Sequence, residues 1–359
     1  MAPLEAIIWH DGQLRIIDQL LLPFKTVYID IKSVQEGWDA IQKMQVRGAP
    51  AIAIVGCLSI AAELAKESSI FNDCTSLHTF VCDSLAHLIT ARPTAVNMKA
   101  EALRLTEYSC SLLTTSQSVT EMMNSILAWC ENLLKMDLAT NKTLGDWGMQ
   151  KILQLSKKDG EDGFSLITIC NTGSLATAGY GTALGVVRSL HAIKKLKGLY
   201  MLETRPYMQG SRLSAYEAVV EGWPNATLIC DGAVGALLSS SQVDAAVVGA
   251  DCVAANGDTA NKIGTYQLAV LCAAHHVKFF VCAPTSSINL KLSSGAGIPI
   301  EHRPALEMTS VAGVPVAAPG IACWNPAFDV TPARLITGII TEYGVFTPEK
   351  LEEEISSRI

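Results

Sequence analysis

Short apolar runs alternate with longer amphipathic stretches through the second half of the chain. The runs that predict strands cover residues 165–169, 199–202, 226–230, 243–248 and 277–282. The stretches that predict helices cover residues 176–194, 212–220, 234–238 and 263–274. Strands and helices that alternate at this spacing form right-handed βαβ units. The pattern therefore predicts an α/β fold with a Rossmann-like, doubly wound parallel sheet.

The first part of the chain follows a different pattern. Short strands separated by turns are predicted at residues 6–9, 13–17 and 26–31. From Ser33 onward, apolar residues recur at helical spacing, which predicts helices at residues 51–65, 77–90, 97–113 and 119–135. A polar, glycine-bearing segment at residues 157–163 is a boundary candidate. We predict a mostly helical N-terminal domain with short β-strands at residues 1–155, and the Rossmann-like domain at residues 164–359.

Composition restricts the possible partners. The net charge of -7 argues against a general nucleic-acid-binding protein. Eleven cysteines without a CxxC pair suit a reducing compartment better than a disulfide framework. No signal peptide is recognisable, and the apolar run at residues 268–282 is too polar to span a bilayer. We expect a soluble cytoplasmic protein with no membrane partner, and the nucleus is left open as a second location.

Asp251 lies at the end of a predicted strand, which is formed by the apolar run at residues 243–248. An acidic, glycine-containing loop follows, and Asn261 and Lys262 are predicted to open a helix. Ligands of parallel sheets bind at the carboxyl ends of strands, beside helix N-termini that favour anions. Asp251 as acid or base and Lys262 as phosphate partner would form a phosphosugar site. A solvated loop with a helix cap is the alternative interpretation of this segment.

Cys170 lies at a predicted sharp turn between a strand and a helix start. Helix N–H groups beside a cysteine lower the pKa of its thiol, which predicts a reactive, accessible thiolate. Most of the other cysteines lie in hydrophobic segments, where an inert side chain is the default. Residues 171–174 could also hold an anion through their backbone N–H groups. Gly179-Tyr180-Gly181 does not match the GxGxxG dinucleotide fingerprint.

Two arginines in the first part of the chain are candidate phosphate ligands. Arg47 precedes Gly48, Ala49 and a proline at a predicted helix start, and Arg92 also stands against a proline ahead of a helix. The alternative for each is an ordinary surface arginine. Gln209 follows a strand of the predicted sheet, where it could bind sugar hydroxyl groups. The histidine pattern contains no HxxxH or HExxH, so no metal is expected.

These segments together resemble the methylthioribose-1-phosphate isomerase family. The resemblance extends from about Trp9 to Tyr343 and rests on motifs in residues 46–50, 92–97, 170–174, 203–207, 257–265 and 325–332. It implies the conversion of 5-methylthioribose 1-phosphate to 5-methylthioribulose 1-phosphate in methionine salvage. It also implies a homodimer, and because the reaction is internal no redox cofactor is expected.

The resemblance assigns a role to each candidate residue. Asp251 corresponds to the catalytic acid and Cys170 to the catalytic cysteine. The substrate-binding positions correspond to Arg47, Gly48, Ala49, Arg92, Gln209, Asn261 and Lys262. Two residues depart from the family pattern. Ile169 stands where the family commonly has histidine, and Cys252 stands where it commonly has arginine. The alternatives are a ribose 1,5-bisphosphate isomerase and a non-catalytic regulatory subunit of a translation initiation exchange factor.

Overall fold

A computed structural model describes residues 4–66, 70–93, 96–155 and 163–358. The chain divides into two compact units. The helical unit contains the described residues of 4–139 together with Ser174–Gly179, and the sheet unit contains the described residues of Thr140–Gly173 and Tyr180–Ile359. The segment predicted as a boundary lies outside the described residues except for Gly163. The predicted domain limits, 1–155 and 164–359, therefore stay a prediction.

The helical unit begins with a small antiparallel sheet in the order β1-β2-β3 and continues with helices. The strands are β1 (Ile7–His10), β2 (Gln13–Ile17) and β3 (Tyr28–Ile31). The helices are α1 (Val34–Gln42), α2 (Ala49–Lys66), α3 (Cys74–Ala91), α4 (Val96–Thr115) and α5 (Val119–Leu153), of which α5 continues into the sheet unit. Ser33 caps α1, and Asp73 forms a capping box at the start of α3.

Helix α2 forms the core of the helical unit. Its residues are buried without interruption from Ala51 to Ala62, and it contacts α1, α3 and α4. Within the described residues it is the helix long and apolar enough to cross a membrane, but most of it is buried inside the unit. A helix that is covered on all sides carries apolar residues all round. We therefore interpret α2 as a core helix.

The sheet unit is built on a seven-stranded sheet in the order β16-β15-β10-β7-β4-β5-β6, within the described part of the chain. Neighbouring strands are parallel except for the antiparallel pair β15 and β16. The strands are β4 (Phe164–Thr168), β5 (Leu196–Leu202), β6 (Ala226–Ile229), β7 (Ala245–Val248), β10 (Lys278–Cys282), β15 (Gly338–Thr341) and β16 (Gly344–Phe346). This is the Rossmann strand order, and the predicted α/β fold class is confirmed.

Helices and a second small sheet complete this unit. The helices are α6 (Ala183–Ala192), α7 (Ala215–Val220), α8 (Val234–Ser240), α9 (Thr265–Ala274), α10 (Leu306–Thr309) and α11 (Leu351–Ser356). The second sheet has the order β11-β8-β9-β14. Its strands are β8 (Cys252–Ala254), β9 (Thr259–Lys262), β11 (Ile288–Asn289) and β14 (Phe328–Thr331), and a separate hairpin joins β12 (Ser310–Val311) to β13 (Val314–Pro315).

Both faces of the main sheet are buried. Ile167 and Phe279 belong to one apolar cluster, and their neighbours Leu166 and Phe280 belong to the other. Successive side chains of a strand point to opposite faces. The alternation between two clusters explains why the strands read as continuous apolar runs in the sequence.

Candidate active site

The strand order reverses between β4 and β7, which places the candidate site at the topological switch point of the sheet. Cys170 follows the end of β4, and Asp251 follows the end of β7. The two loops contact each other, since a Cβ atom built on Gly249 would lie 2.7 Å from Cγ2 of Thr172. Open α/β sheets bind ligands at this position, outside the carboxyl ends of the strands. The structure therefore brings the two predicted catalytic residues to adjacent strand ends.

The backbone of Cys170 is held in the left-handed region, at φ 70°. Its N–H donates a hydrogen bond to Oγ1 of Thr204 over 2.9 Å, and its carbonyl accepts one from Oγ of Ser214 over 2.6 Å. Cys170 is buried, with 8% of its surface exposed. The loop after β4 is thus fixed on both sides by hydroxyl groups.

The predicted helix directly after Cys170 is wrong. Only a short 3₁₀ turn follows at Ser174–Ala176, and α6 begins at Ala183. Tyr180 and Gly181 both have positive φ angles, and Gly181 packs against the backbone of Gly173. A three-residue turn has no helix macrodipole of useful size, so the predicted activation by helix N–H groups is not supported. Cys170 is also largely buried, rather than openly exposed as the predicted accessible thiolate would be.

The predicted position of Asn261 and Lys262 at a helix start is also wrong. Both residues belong to β9, and α9 begins at Thr265 after Gly264, which has φ 99°. The segment after Asp251 folds into a β8–β9 hairpin, in which the N–H of Asp251 donates to the carbonyl of Ala260 over 2.9 Å. This hydrogen bond connects the carboxylate-bearing loop to the strand that carries the Asn261-Lys262 pair.

Asn261 and Lys262 are nevertheless placed beside the other site residues. Gly264, at the end of their strand, contacts the loop after β4, because a Cβ atom there would lie 3.0 Å from Cδ1 of Ile169. Asn261 is buried, and its Nδ2 donates to Oγ1 of Thr265 over 3.0 Å. The Nζ atom of Lys262 lies 4.5 Å from the ring centre of Phe328, a cation–π contact.

Gln209 is also part of this region. It is 2% exposed and directly precedes the π-helical turn Gly210–Ser214, whose last residue holds Cys170. Gly210 packs on the end of β5, where a Cβ atom would lie 1.7 Å from the carbonyl oxygen of Leu202. The close approach requires glycine and brings the turn onto the strand end.

Asp329, which received no role from the sequence pattern, pairs with Asn261 across the β9–β14 ladder. Its carboxylate accepts from the N–H of Gly264 over 2.7 Å and from that of Tyr266 over 3.0 Å. It therefore caps the first turn of α9, where the helix leaves backbone donors unpaired. Burial raises the pKa of Asp329 to about 6, against the opposing effects of these donors and of the Lys262 charge.

The raised pKa of Asp329 predicts a pH-dependent stability. The folded carboxyl binds its proton more tightly than an unfolded one with a pKa of 3.8. Its contribution to stability is therefore complete below that pKa and is lost as the pH rises through about 6. Relative to Asp329→Asn, the wild type should lose about 3 kcal/mol of unfolding free energy across this range. Urea unfolding at a series of pH values measures the difference, and parallel curves for the two proteins would contradict it.

Two polar atoms in the loop after Cys170 are buried without a hydrogen-bond partner among the described residues. They are Nδ2 of Asn171 and Oγ1 of Thr172. The other amide atom of Asn171, Oδ1, accepts from the N–H of Gly173 over 3.2 Å. Unsatisfied buried polar groups are rare in native proteins and often mark functional positions.

The remaining predicted residues belong to the helical unit. Arg47 and Gly48 directly precede α2, and Ala49 is its first residue. Gly48 has φ 98° and packs against Ala176, because a Cβ atom would lie 2.3 Å from the carbonyl oxygen of that residue. Arg92 follows the end of α3. The Arg47-Gly48-Ala49 segment thus packs against Ala176, which lies six residues after Cys170 in the sequence.

Gly48→Ala should lower the free energy of unfolding by about 1–3 kcal/mol, the usual cost of overpacking. The added methyl group meets backbone atoms, and the positive φ disfavours alanine. Gly235→Ala in α8 is the matched control, because its nearest atom lies at 3.7 Å and its φ is ordinary. Chemical unfolding of the two variants measures the effect. Equal stability of Gly48→Ala and the wild type would contradict the close packing.

The fold and the geometry define an α/β protein with a candidate ligand site at the switch point of a Rossmann-like sheet. The Initiation factor 2 subunit family model matches residues 45–348, and the chain belongs to this family.

Individual relatives give the comparison more detail. A methylthioribose-1-phosphate isomerase of Drosophila persimilis is 53% identical over 358 residues, which cover 98% of both chains. The crystal structure of 5-methylthioribose 1-phosphate isomerase from Pyrococcus horikoshii OT3 is 36% identical, covers 99% of this chain and 95% of that one, and has a TM-score of 0.89. The structure of translation initiation factor eIF-2B, subunit delta, from A. fulgidus is 37% identical, covers 97% of each chain, and has a TM-score of 0.84. The resemblance to the isomerase family is confirmed.

Proposed function

We propose that the protein is an aldose–ketose isomerase that converts 5-methylthioribose 1-phosphate to 5-methylthioribulose 1-phosphate in methionine salvage. The observation that carries the proposal is the placement of Cys170 and Asp251 at the two strand ends that flank the switch point. The relative from Drosophila persimilis, which matches nearly the whole chain, carries the name of this enzyme.

Asp251 acts as general acid and base in the proposed mechanism. The substrate carries phosphate on its anomeric carbon, so its ring cannot open through a free hemiacetal. A proton must reach the ring oxygen as the bond from that oxygen to C1 breaks, and a carboxylic acid can supply it. Cys170 then assists the movement of hydrogen from C2 to C1. A proton transfer through an enediol and a hydride shift are both compatible with its position.

The other predicted residues bind the substrate. Lys262 supplies a positive charge for the phosphate, and Arg47 and Arg92 are proposed as further phosphate ligands from the family resemblance. Asn261 and Gln209 are proposed to bind sugar hydroxyl groups. Positioning by such contacts lowers the barrier because the reacting groups are held in a productive arrangement. Since C1 is reduced as C2 is oxidised, the reaction needs no external redox partner.

The two departures from the family pattern have different surroundings. Ile169 is fully buried against Gly264, so it supports the turn at the end of β9 through packing. Cys252 begins β8 beside Asp251, and burial, with the Asp251 charge as the second cause, raises the pKa of its thiol. A neutral thiol there places no positive charge next to the catalytic carboxylate.

The assembly and location are also proposals. We propose a homodimer in the cytoplasm, with the nucleus as a second location, on the basis of the family resemblance and the cysteine usage. The alternatives are a ribose 1,5-bisphosphate isomerase and a regulatory subunit of a translation initiation exchange factor. The regulatory subunit remains an alternative because one similar structure carries the eIF-2B name.

Turnover measurements test the proposal directly. Purified protein is given 5-methylthioribose 1-phosphate or ribose 1,5-bisphosphate, and product formation is followed by proton NMR. We expect the methylthio sugar to be isomerised with the higher kcat/KM. A preference for the bisphosphate would replace the substrate assignment. Failure to convert either sugar would favour the regulatory subunit.

A further inference from the structure

Three neighbouring strand ends are linked by hydrogen bonds from backbone N–H groups to side-chain oxygen atoms. Cys170, Thr204 and Asp231 each stand two residues after a strand, at the ends of β4, β5 and β6. These strands are adjacent in the sheet. Asp231 accepts from the N–H of Thr204 over 2.8 Å, and Thr204 Oγ1 accepts from the N–H of Cys170 over 2.9 Å. Each strand end therefore holds the next one.

The hydrogen bonds of the Thr204 hydroxyl fix which of its groups faces Cys170. Its hydroxyl donates to the carbonyl of Leu202 over 3.0 Å, which turns an acceptor lone pair toward the N–H of Cys170. The second carboxylate oxygen of Asp231 accepts from the N–H of Arg205 over 2.6 Å. Thr204 is fully buried, so the two hydrogen bonds of its hydroxyl are shielded from water, whereas the two bonds to Asp231 are partly buried.

The backbone at both linked positions is unusual. Thr204 has φ 65° and Cys170 has φ 70°. A positive φ is a clear outlier for a β-branched residue such as threonine, and it persists only where the surroundings hold it. Such positions concentrate at functional sites. The hydrogen bonds from the N–H of Thr204 to Asp231 and from the N–H of Cys170 to Thr204 account for how both residues are held.

We propose that Thr204 and Asp231 are positioning residues that fix the backbone of Cys170 and thereby the direction of its thiol. The part of this inference that concerns catalysis rests on the proposed function. Asp231 lies two strands away from Cys170, about 10 Å at the usual strand spacing, and acts through Thr204. Ser214 completes the arrangement by donating to the Cys170 carbonyl.

Thr204→Val tests the proposal, because it keeps the shape of the side chain and removes the acceptor. We expect kcat to fall about a hundredfold, as for a small misplacement of a reacting group, while KM stays within about twofold. Thr204→Ser should restore most of the activity. Thr227→Val, on the exposed surface of β6, is the matched control and should behave as wild type. Asp231→Asn should also lower kcat. If Thr204→Val does not fold, Asp231→Asn tests whether these residues position Cys170.

Alkylation of Cys170 by iodoacetamide provides a readout that does not depend on turnover. The rate is measured against pH, with the modified residue identified by mass spectrometry. We expect Thr204→Val to change this profile and Thr204→Ser to retain it. An unchanged profile and an unchanged kcat in Thr204→Val would overturn the proposal. If the wild-type protein failed to isomerise the sugar, the proposed function would be wrong. The alkylation profile would still show whether Thr204 positions Cys170, so failure of the proposed function can be distinguished from failure of the positioning proposal.

Discussion

Asp251→Asn should lower kcat for 5-methylthioribose 1-phosphate by about 10²–10⁴-fold, the usual contribution of a general acid or base. The substitution keeps the size of the side chain and removes the carboxylic acid proposed to protonate the ring oxygen. The backbone bond from Asp251 to Ala260 is unaffected, so the fold should be retained. Steady-state kinetics measure the loss, with circular dichroism as the check on folding.

Cys170→Ala should produce a loss in the same range, because it removes the thiol proposed to assist hydrogen transfer between C2 and C1. Matched controls are Asp11→Asn, at an exposed position with positive φ, and Cys110→Ala, at an exposed cysteine. Both should keep wild-type kcat. Full activity in either Asp251→Asn or Cys170→Ala would remove that residue from the mechanism.

Arg188→Met should lower the free energy of unfolding by about 3–5 kcal/mol, because it breaks a buried ion pair. Arg188 lies on α6 and is 5% exposed, and its guanidinium contacts Glu217 over 2.5 Å and Glu221 over 2.6 Å. Glu217 has no exposed surface. Without the arginine, both carboxylates lose their buried counter-charge.

The same substitution should also disturb the candidate active site. The carboxylate of Glu217 packs against Gly173 in the loop after Cys170, where a Cβ atom would lie 2.1 Å from Oε2. Arg358→Met is the control, because Arg358 pairs with Glu354 at the surface over 3.6 Å. It should change stability by no more than about 1 kcal/mol. Urea unfolding compares the two variants, and equal stability would show that the buried network contributes little.

The sequence predicted the main sheet well because burial on both faces makes each strand a continuous apolar run. The run at residues 277–282, for example, corresponds to β10 at Lys278–Cys282. The pattern also led to both strand-end residues, Cys170 and Asp251. These positions follow from the βαβ alternation, which is a local signal.

The errors arise where distant contacts decide the local structure. Asn261 and Lys262 read as a helix start, but pairing of β9 with β8 and with the distant β14 makes them part of a strand. The helix predicted at residues 176–194 begins only at Ala183, because the chain folds back on Gly173 at Tyr180 and Gly181. No periodicity in the sequence reports such contacts.

Some roles could not be predicted for the same reason. Asp329 is remote in sequence from α9, yet it caps that helix and pairs with Asn261. Asp231 and Thr204 carry no motif that connects them to Cys170. Their relation depends on the strand order β4-β5-β6, which becomes visible only in the folded sheet.

A crystal structure of Asp251→Asn with 5-methylthioribose 1-phosphate would show where the sugar binds. The variant should bind the sugar and convert it so slowly that the substrate remains bound during crystallisation. We expect sugar density at the carboxyl ends of β4 and β7, with C1 and C2 beside the thiol of Cys170 and the phosphate near Lys262. Sugar bound elsewhere, or no density at saturating concentration, would contradict the assignment of this site.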